Sequence, residues 1–343
     1  MRYFLQIVVL LIVVQLQAQV GGEKSYEFVN IPHSAKLSGL GGINISSANN
    51  DVNMLFSNPA LVGEALDGHL SFNYLTYFAN TSMSSFAYAY KLKSLGTLSG
   101  GVQYLNLGVI DSYNASGNLI GTVNSSELNT TTAFAHKIDN FQIGGSLKWV
   151  NSSIAENRSN AILFDFGGVF IHPEKDFTVG MVIKNVGFVI NEYTATSSSS
   201  LPFDLQVGVT YKPEHMPFRF SISTYNIFEK NVLESNNIDN TTFEEHSTFD
   251  KVLARFVIGT ELVFNEHVNL RIGYNHYNRE NLRLEQVGGL AGISLGLMIK
   301  IKKIEFAYSY GGYHANAGIN NFTIATNVNR FIGSNKINND DRE

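Results

Sequence analysis

Phe203-Asp204-Leu205-Gln206-Val207-Gly208-Val209-Thr210-Tyr211-Lys212 decides how this chain folds. Every odd position is apolar, and every even one is polar or glycine. Successive side chains of a β-strand point to opposite faces, so this stretch is a strand with one greasy face and one wet face. The alternation recurs at Phe141-Ile143-Gly145-Leu147-Trp149 against Gln142-Gly144-Ser146-Lys148. Phe218-Phe220-Ile222, Val268-Leu270-Ile272-Tyr274 and Ile304-Phe306-Tyr308-Tyr310 repeat it against polar or small neighbours.

Working outward, fourteen such segments span 69–78, 82–92, 97–106, 129–137, 140–151, 160–171, 177–185, 203–212, 217–226, 254–264, 267–277, 288–299, 303–313 and 317–328. Their usual length matches the ~9–11 residues that a tilted strand needs to cross a bilayer. Strands of soluble proteins average only ~5–6. Even-numbered segments end in short turns, such as Lys93-Ser94-Leu95-Gly96 and Asn265-Glu266. Odd-numbered ones mostly end in long polar loops at 107–128, 151–159, 186–202, 227–253 and 278–287, although 79–81 and 314–317 are short. Short turns on one rim and long loops on the other are the asymmetry of a transmembrane barrel. An unpaired N–H or C=O in hydrocarbon costs several kcal/mol, so a membrane sheet must close on itself. The expected fold is therefore all-β: a 14-stranded antiparallel transmembrane β-barrel with an N-terminal plug. The competing reading is a soluble sandwich of unusually long strands.

Composition agrees. The 343 residues contain no Cys, one Trp, and 15% charged residues, against about a quarter in ordinary soluble domains. Zero Cys excludes a disulfide scaffold, a thiolate zinc site, an iron–sulfur cluster and a cysteine nucleophile. A net charge of -5 gives no basic field for nucleic acid. Met1-Arg2, an apolar run over 4–14 broken only by Gln6, and small Ala18 read as a signal peptide over 1–18. The run is shorter than the ~20 residues of a spanning helix, which disfavours the alternative of a membrane anchor.

Residues 19–66 do not alternate. Gly41-Gly42 opens backbone conformations closed to other residues, and Asn58-Pro59 followed by Ala60 is turn chemistry. Fourteen strands enclose more space than their own side chains fill. The domain reading is thus signal peptide 1–18, hatch 19–66, barrel 67–331 and polar tail 332–343, with a loosely ordered periplasmic arm as the alternative for 19–66. With the N-terminus periplasmic, the long loops face the cell exterior.

The Ser57-Asn58-Pro59-Ala60 element ahead of fourteen strands resembles the FadL family of outer-membrane barrels. Within that group, Gln19-Val20-Gly21-Gly22, Tyr26-Glu27-Phe28-Val29-Asn30-Ile31-Pro32-His33-Ser34-Ala35-Lys36, Leu40-Gly41-Gly42, Asp51-Val52-Asn53 and Asn58-Pro59-Ala60-Leu61 resemble the PorQ-like barrels of the Bacteroidetes type IX secretion system, as does Gly101-Val102-Gln103-Tyr104-Leu105-Asn106. The resemblance covers the mature chain in layout, but its motifs lie in the first ~110 residues. It implies a non-enzymatic anchor for a surface attachment complex with PorZ-, PorU- and PorV-like partners, which trims secreted cargo and joins it to lipopolysaccharide. The alternative function is a FadL-type transporter of hydrophobic compounds. No cofactor and no metal is expected.

Other motifs are weak. Gly292-Ile293-Ser294-Leu295-Gly296 matches the G-x-S-x-G pattern, but inside a strand rather than on a strand-to-helix turn. It leaves a lipid-cleaving enzyme as the least favoured reading. Nine His are scattered without ligand spacing. Inward-facing Lys148, Lys212, Arg219, Arg255 and Arg271 suggest either an ion path or, more simply, bonds to hatch carboxylates. Loop 227–253 interleaves acids with aromatics. Phe228, Phe243, Glu244, Glu245 and Phe249 are its candidate partner-docking residues, because buried aromatics dominate interface energetics.

Overall fold

The computed structural model describes residues 24–48, 50–77, 80–114, 116–229, 232–233, 247–282, 289–314 and 317–332. The signal-peptide expectation at 1–18 and nearly all of the polar tail lie outside them.

The strands are β1 (His69–Thr76), β2 (Ser82–Leu92), β3 (Gly96–Tyr113), β4 (Leu119–Ile138), β5 (Phe141–Ile154), β6 (Asn157–Ile171), β7 (Asp176–Asn191), β8 (Asp204–Lys212), β9 (Phe218–Thr224), β10 (Phe256–Val263), β11 (Val268–Asn275), β12 (Ile293–Ile301), β13 (Ile304–His314) and β14 (Ala317–Asn327). Each pairs with its sequence neighbour, and β1 closes on β14 from His69↔Asn327 to Thr76↔Asn320. The fold is the expected closed, antiparallel, fourteen-stranded barrel.

Three stretches expected as loops are instead strand. β3 and β4 run on as a hairpin through 107–113 and 119–128, with Ile110 opposite Val123. The 151–159 connection shrinks to a tight turn at Ala155 (φ 54), and β7 continues to Asn191. The reason is that these extensions do not contrast their two faces: 107–113 and 119–128 mix apolar and polar residues on both, and Val186-Gly187-Phe188-Val189-Ile190 is apolar or glycine throughout. They lack the greasy alternation of the wall, yet hairpin pairing still satisfies their backbone. The other two long connections carry short helices: α2 (Thr248–Leu253) and α3 (His276–Leu282). α1 (Ala35–Gly39) precedes the barrel and α4 (Asn329–Ile332) follows it.

Phe72, Tyr74, Phe86, Leu147, Trp149, Phe166, Met181, Ile222, Ile258, Ile272, Leu295 and Ile324 all point outward and are exposed. They come from ten of the fourteen strands and form an apolar band, the face that a barrel turns to lipid. Among the described residues no helix is long and apolar enough to cross a membrane. The inward face is polar for most of the circuit: Asp204, Gln206 and Thr210 are buried, as are Gln103, Asn129, Lys148 and Asp165.

Candidate functional site

What buries those inward residues is the N-terminal segment. α1 packs on β11 to β14, a 3-10 turn at Val52–Phe56 on β1 to β4, and another at Pro59–Leu61 on β4 to β6. Each turn starts on a side-chain cap, which supplies an acceptor to an otherwise orphaned N–H. Ser34 Oγ accepts from Leu37 N at 3.3 Å, Asp51 Oδ1 from Asn53 N at 3.0 Å, and Asn58 Oδ1 from Ala60 N at 3.1 Å. Pro59 takes the first position of its turn, where no N–H is needed. Gly41 and Gly42 follow α1 at φ 95 and 93, conformations that side chains resist.

The segment is tied to the wall by individual hydrogen bonds. Ala35 N donates to Thr323 Oγ1 (2.9 Å), Asn53 Nδ2 to Ser71 Oγ (2.9 Å), Asn73 Nδ2 to Asn53 Oδ1 (2.8 Å), Thr178 Oγ1 to Ser46 O (2.6 Å) and Asn321 Nδ2 to Ser38 Oγ (3.1 Å). Asn58 Nδ2 binds the segment to itself, donating to Ile45 O at 2.9 Å.

Glycines on the inner face make this approach possible. A Cβ at Gly144 would stand 2.6 Å from Ala60 N, and one at Gly273 would stand 2.1 Å from Gly41 N. Gly101, Gly167, Gly180 and Gly259 meet Phe56, Asn58, Ile45 and Leu40 in the same way. The belt is inconspicuous in the sequence, because glycine satisfies the wet face of an alternating strand. The usable signal was glycine at inward positions of many different strands.

The lumen divides chemically. Toward the rim of long connections, on the β1–β6 side, inward positions turn apolar: Leu75, Met83, Leu105, Val150, Ala161 and Leu163, with Ile319 of β14. Tyr26, Phe28 and Val29 of the segment fill that chamber. On the β7–β11 side of the same rim lies a polar cavity of about 360 Å³ bordered by Lys24, Glu27, Lys184, Asp204, Glu229 and Tyr277. Toward the short-turn rim a second, charged cavity of about 560 Å³ is bordered by Lys36, Arg219, Glu261, Arg271, Lys300 and Glu305. Burial pushes the Lys36 ammonium below its ordinary value. Burial likewise pushes the His33 imidazole down to about 3, where it packs 5.0 Å from the Phe56 ring.

Among the described residues, Lys148, Arg219, Arg255 and Arg271 pair with groups outside the N-terminal segment, contrary to the simpler expectation. Lys148 Nζ reaches Asp165 at 2.6 Å, both almost wholly buried, and donates to Asn185 Oδ1 at 2.8 Å. Arg219 and Arg271 share Glu261 at 2.7 and 2.8 Å, and Arg219 also takes Asp176 at 2.9 Å. Arg255 donates to the carbonyls of Asn226 and Glu229. Lys148 with Asp165, and Glu261 with Arg219 and Arg271, come from neighbouring strands of the wall, where pairing register sets them side by side at no cost in loop ordering; Arg219 reaches Asp176 across β8. Among the described residues, the segment is ion-paired to the barrel by Lys24 with Glu229 of the β9–α2 connection (3.1 Å) and by Glu64 with Lys91 of β2 (2.5 Å).

Ser294 is the second residue of β12, paired with Gly273 and Gly311, and β12 runs on as strand to Ile301, so Ser294 is not itself on a strand-to-helix turn and the geometry of the nucleophile motif is missing. Among the described residues no cluster of His, Asp or Glu could hold a metal. Phe228 and Phe249 are both exposed at the long-connection rim, with Phe228 stacked 6.2 Å from Phe203. Phe243, Glu244 and Glu245 lie outside the described residues.

No family model matches the chain, and no curated protein matches it in sequence. Solved structures do match in shape. The TodX monoaromatic hydrocarbon channel (a deltaS2 mutant) superposes with a TM-score of 0.52 at 12% identity, over 86% of this chain and 97% of that one. A FadL homologue of Pseudomonas aeruginosa gives 0.43 at 8% identity, over 86% and 98%. The KdgM porin gives 0.35 at 7%, over 75% and 98%. The chain thus has the fold of a FadL-like outer-membrane barrel.

Proposed function

We propose that this protein is a non-enzymatic barrel of the bacterial outer membrane, with its long connections outside the cell and residues 24–66 as a hatch, and that it passes small hydrophobic compounds. The observation that carries the cargo class is the apolar chamber behind Tyr26, Phe28 and Val29. Lumenal positions facing water have no reason to be Leu, Met or Val. A chamber of them, closed by aromatic side chains of a separate segment, offers an apolar solute the burial that those aromatics now enjoy, roughly 25 cal/mol per Å². The likeness to a hydrocarbon channel supports the same reading.

The test is binding and uptake of a small hydrophobic fluorophore. Phe28→Ala opens the chamber and should tighten binding to the purified protein several-fold. Leu163→Glu places a charge in the chamber and should abolish binding. Unchanged affinity in both variants, or unchanged uptake by cells lacking the protein, overturns this reading.

A second reading is a PorQ-like surface anchor, such as Bacteroidetes would use to hold an attachment complex. Exposed Phe228 and Phe249 on the outer rim favour it, with the motif resemblance of the first ~110 residues. Its test is a pull-down from detergent-solubilised outer membranes, read by mass spectrometry. Deleting 232–248 should release the partner while the barrel stays folded.

A further inference from the structure

The polar cavity on the β7–β11 side adjoins the apolar chamber at Val29, but its chemistry is different. Three nitrogens border it without a protein partner. Asn44 Nδ2 and His33 Nε2 are buried, on side chains only 2% and 3% exposed, and accept or donate no hydrogen bond. Lys184, 5% exposed, makes no hydrogen bond and no close ion pair among the described residues. Buried polar atoms are partnered in the great majority of cases, so two of them beside an unpaired ammonium around one cavity call for an occupant that supplies the partners.

The charges narrow its class. Lys24 and Lys184 face Glu27, Asp204 and Glu229, and Lys24 is already paired with Glu229 at 3.1 Å. The surplus is one negative charge, so an anion gains nothing from the field of the site. A hydrocarbon would leave the three nitrogens unmet. A hydroxyl group is both donor and acceptor. Its lone pairs suit the ammonium of Lys184 and the amide of Asn44, while its proton suits the carboxylates and a neutral imidazole. Tyr225 and Tyr277, with ring centroids 6.3 Å apart and crossed at 82°, add apolar faces for C–H groups. The volume of about 360 Å³ falls in the range of small-ligand pockets. We infer that this cavity binds a small neutral saccharide, of one or two rings, on the outer side of the N-terminal segment.

Calorimetry on the full mature chain, in a detergent without a sugar headgroup, tests this with glucose, maltose, glucuronate and octanoate. At least one neutral sugar should bind saturably, more tightly than glucuronate and independently of octanoate. Lys184→Met and Asn44→Asp should each weaken it about tenfold. Asn44→Asp keeps the oxygen that accepts from Ser46 N and Ser47 N, so the local turn survives. Absence of saturable binding by either neutral sugar, which would mean that ordered water serves the three nitrogens, overturns the proposal. Tighter binding of glucuronate, or full affinity in both variants, does so too. None of these results bears on the fluorophore test of the apolar chamber.

Discussion

The wall of the barrel and the segment inside it are held by two different kinds of physics. The wall is repetitive. Every strand offers the same alternation, its backbone bonds are generic, and closure at β1–β14 leaves no edge. The segment is idiosyncratic: five short helical turns seated by single hydrogen bonds, and by glycines where a Cβ would collide. The wall should therefore tolerate most outward substitutions that keep the pattern. The segment should fail at individual inward positions.

The buried pair of Lys148 and Asp165 tests that contrast most severely. Asn185, at φ 58, joins it through its side chain and its backbone N–H, and Asn185 Nδ2 donates to Asn30 of the segment at 3.3 Å. Lys148→Met strands a buried carboxylate and should cost ~3–5 kcal/mol in reversible urea unfolding. Lys148→Met with Asp165→Leu should recover most of that, since an apolar pair of similar volume needs no partner. If the double variant is no better than the single one, the network is doing more than compensating its own charge.

Adjacent glycines give the next test. Gly167 faces inward, where a Cβ would stand 1.9 Å from Asn58 Oδ1, while Gly168 faces outward with nothing within 4 Å. Gly167→Val should cost ~1–3 kcal/mol by overpacking and raise protease cleavage within 24–66. Gly168→Val should be close to neutral in both measurements. Equal effects at the two positions would erase the distinction drawn here between wall and segment.

The mildest effect is a pH dependence. The His33 imidazole is held down to about 3 by burial, against about 6.5 when unfolded. Above pH 6.5 both states are neutral and the group contributes no slope. Below it the unfolded chain takes up a proton that the folded one refuses, so stability falls as pH drops toward 3. Between pH 7.5 and 5 the loss should be about 1–2 kcal/mol, and His33→Phe should flatten it. An unchanged acid slope in that variant would place the titrating group elsewhere.

Much of the wall was legible beforehand because a strand writes its two environments into alternate residues. Parity alone puts Asp204, Gln206 and Thr210 on the wet face of 203–212, and they are buried on the inner side. The hairpin extensions of β3–β4 and β7 were missed because they carry no such contrast between faces. The inward cations were seen, but their partners were not: whether Arg219 meets Glu261 depends on strand register, a relation between residues 42 apart. The glycine belt and the apolar chamber each draw on many strands, so no single stretch of sequence displays them.

By itself, the order of residues determined a sheet with a lipid-facing side, the number of its strands, and the rim bearing its longer connections, since period, length and turn composition are local properties. Tertiary structure alone decided what fills the lumen and where its chemistry changes from apolar to polar. Those features exist only when distant strands close into a ring and bring their inward side chains against one segment.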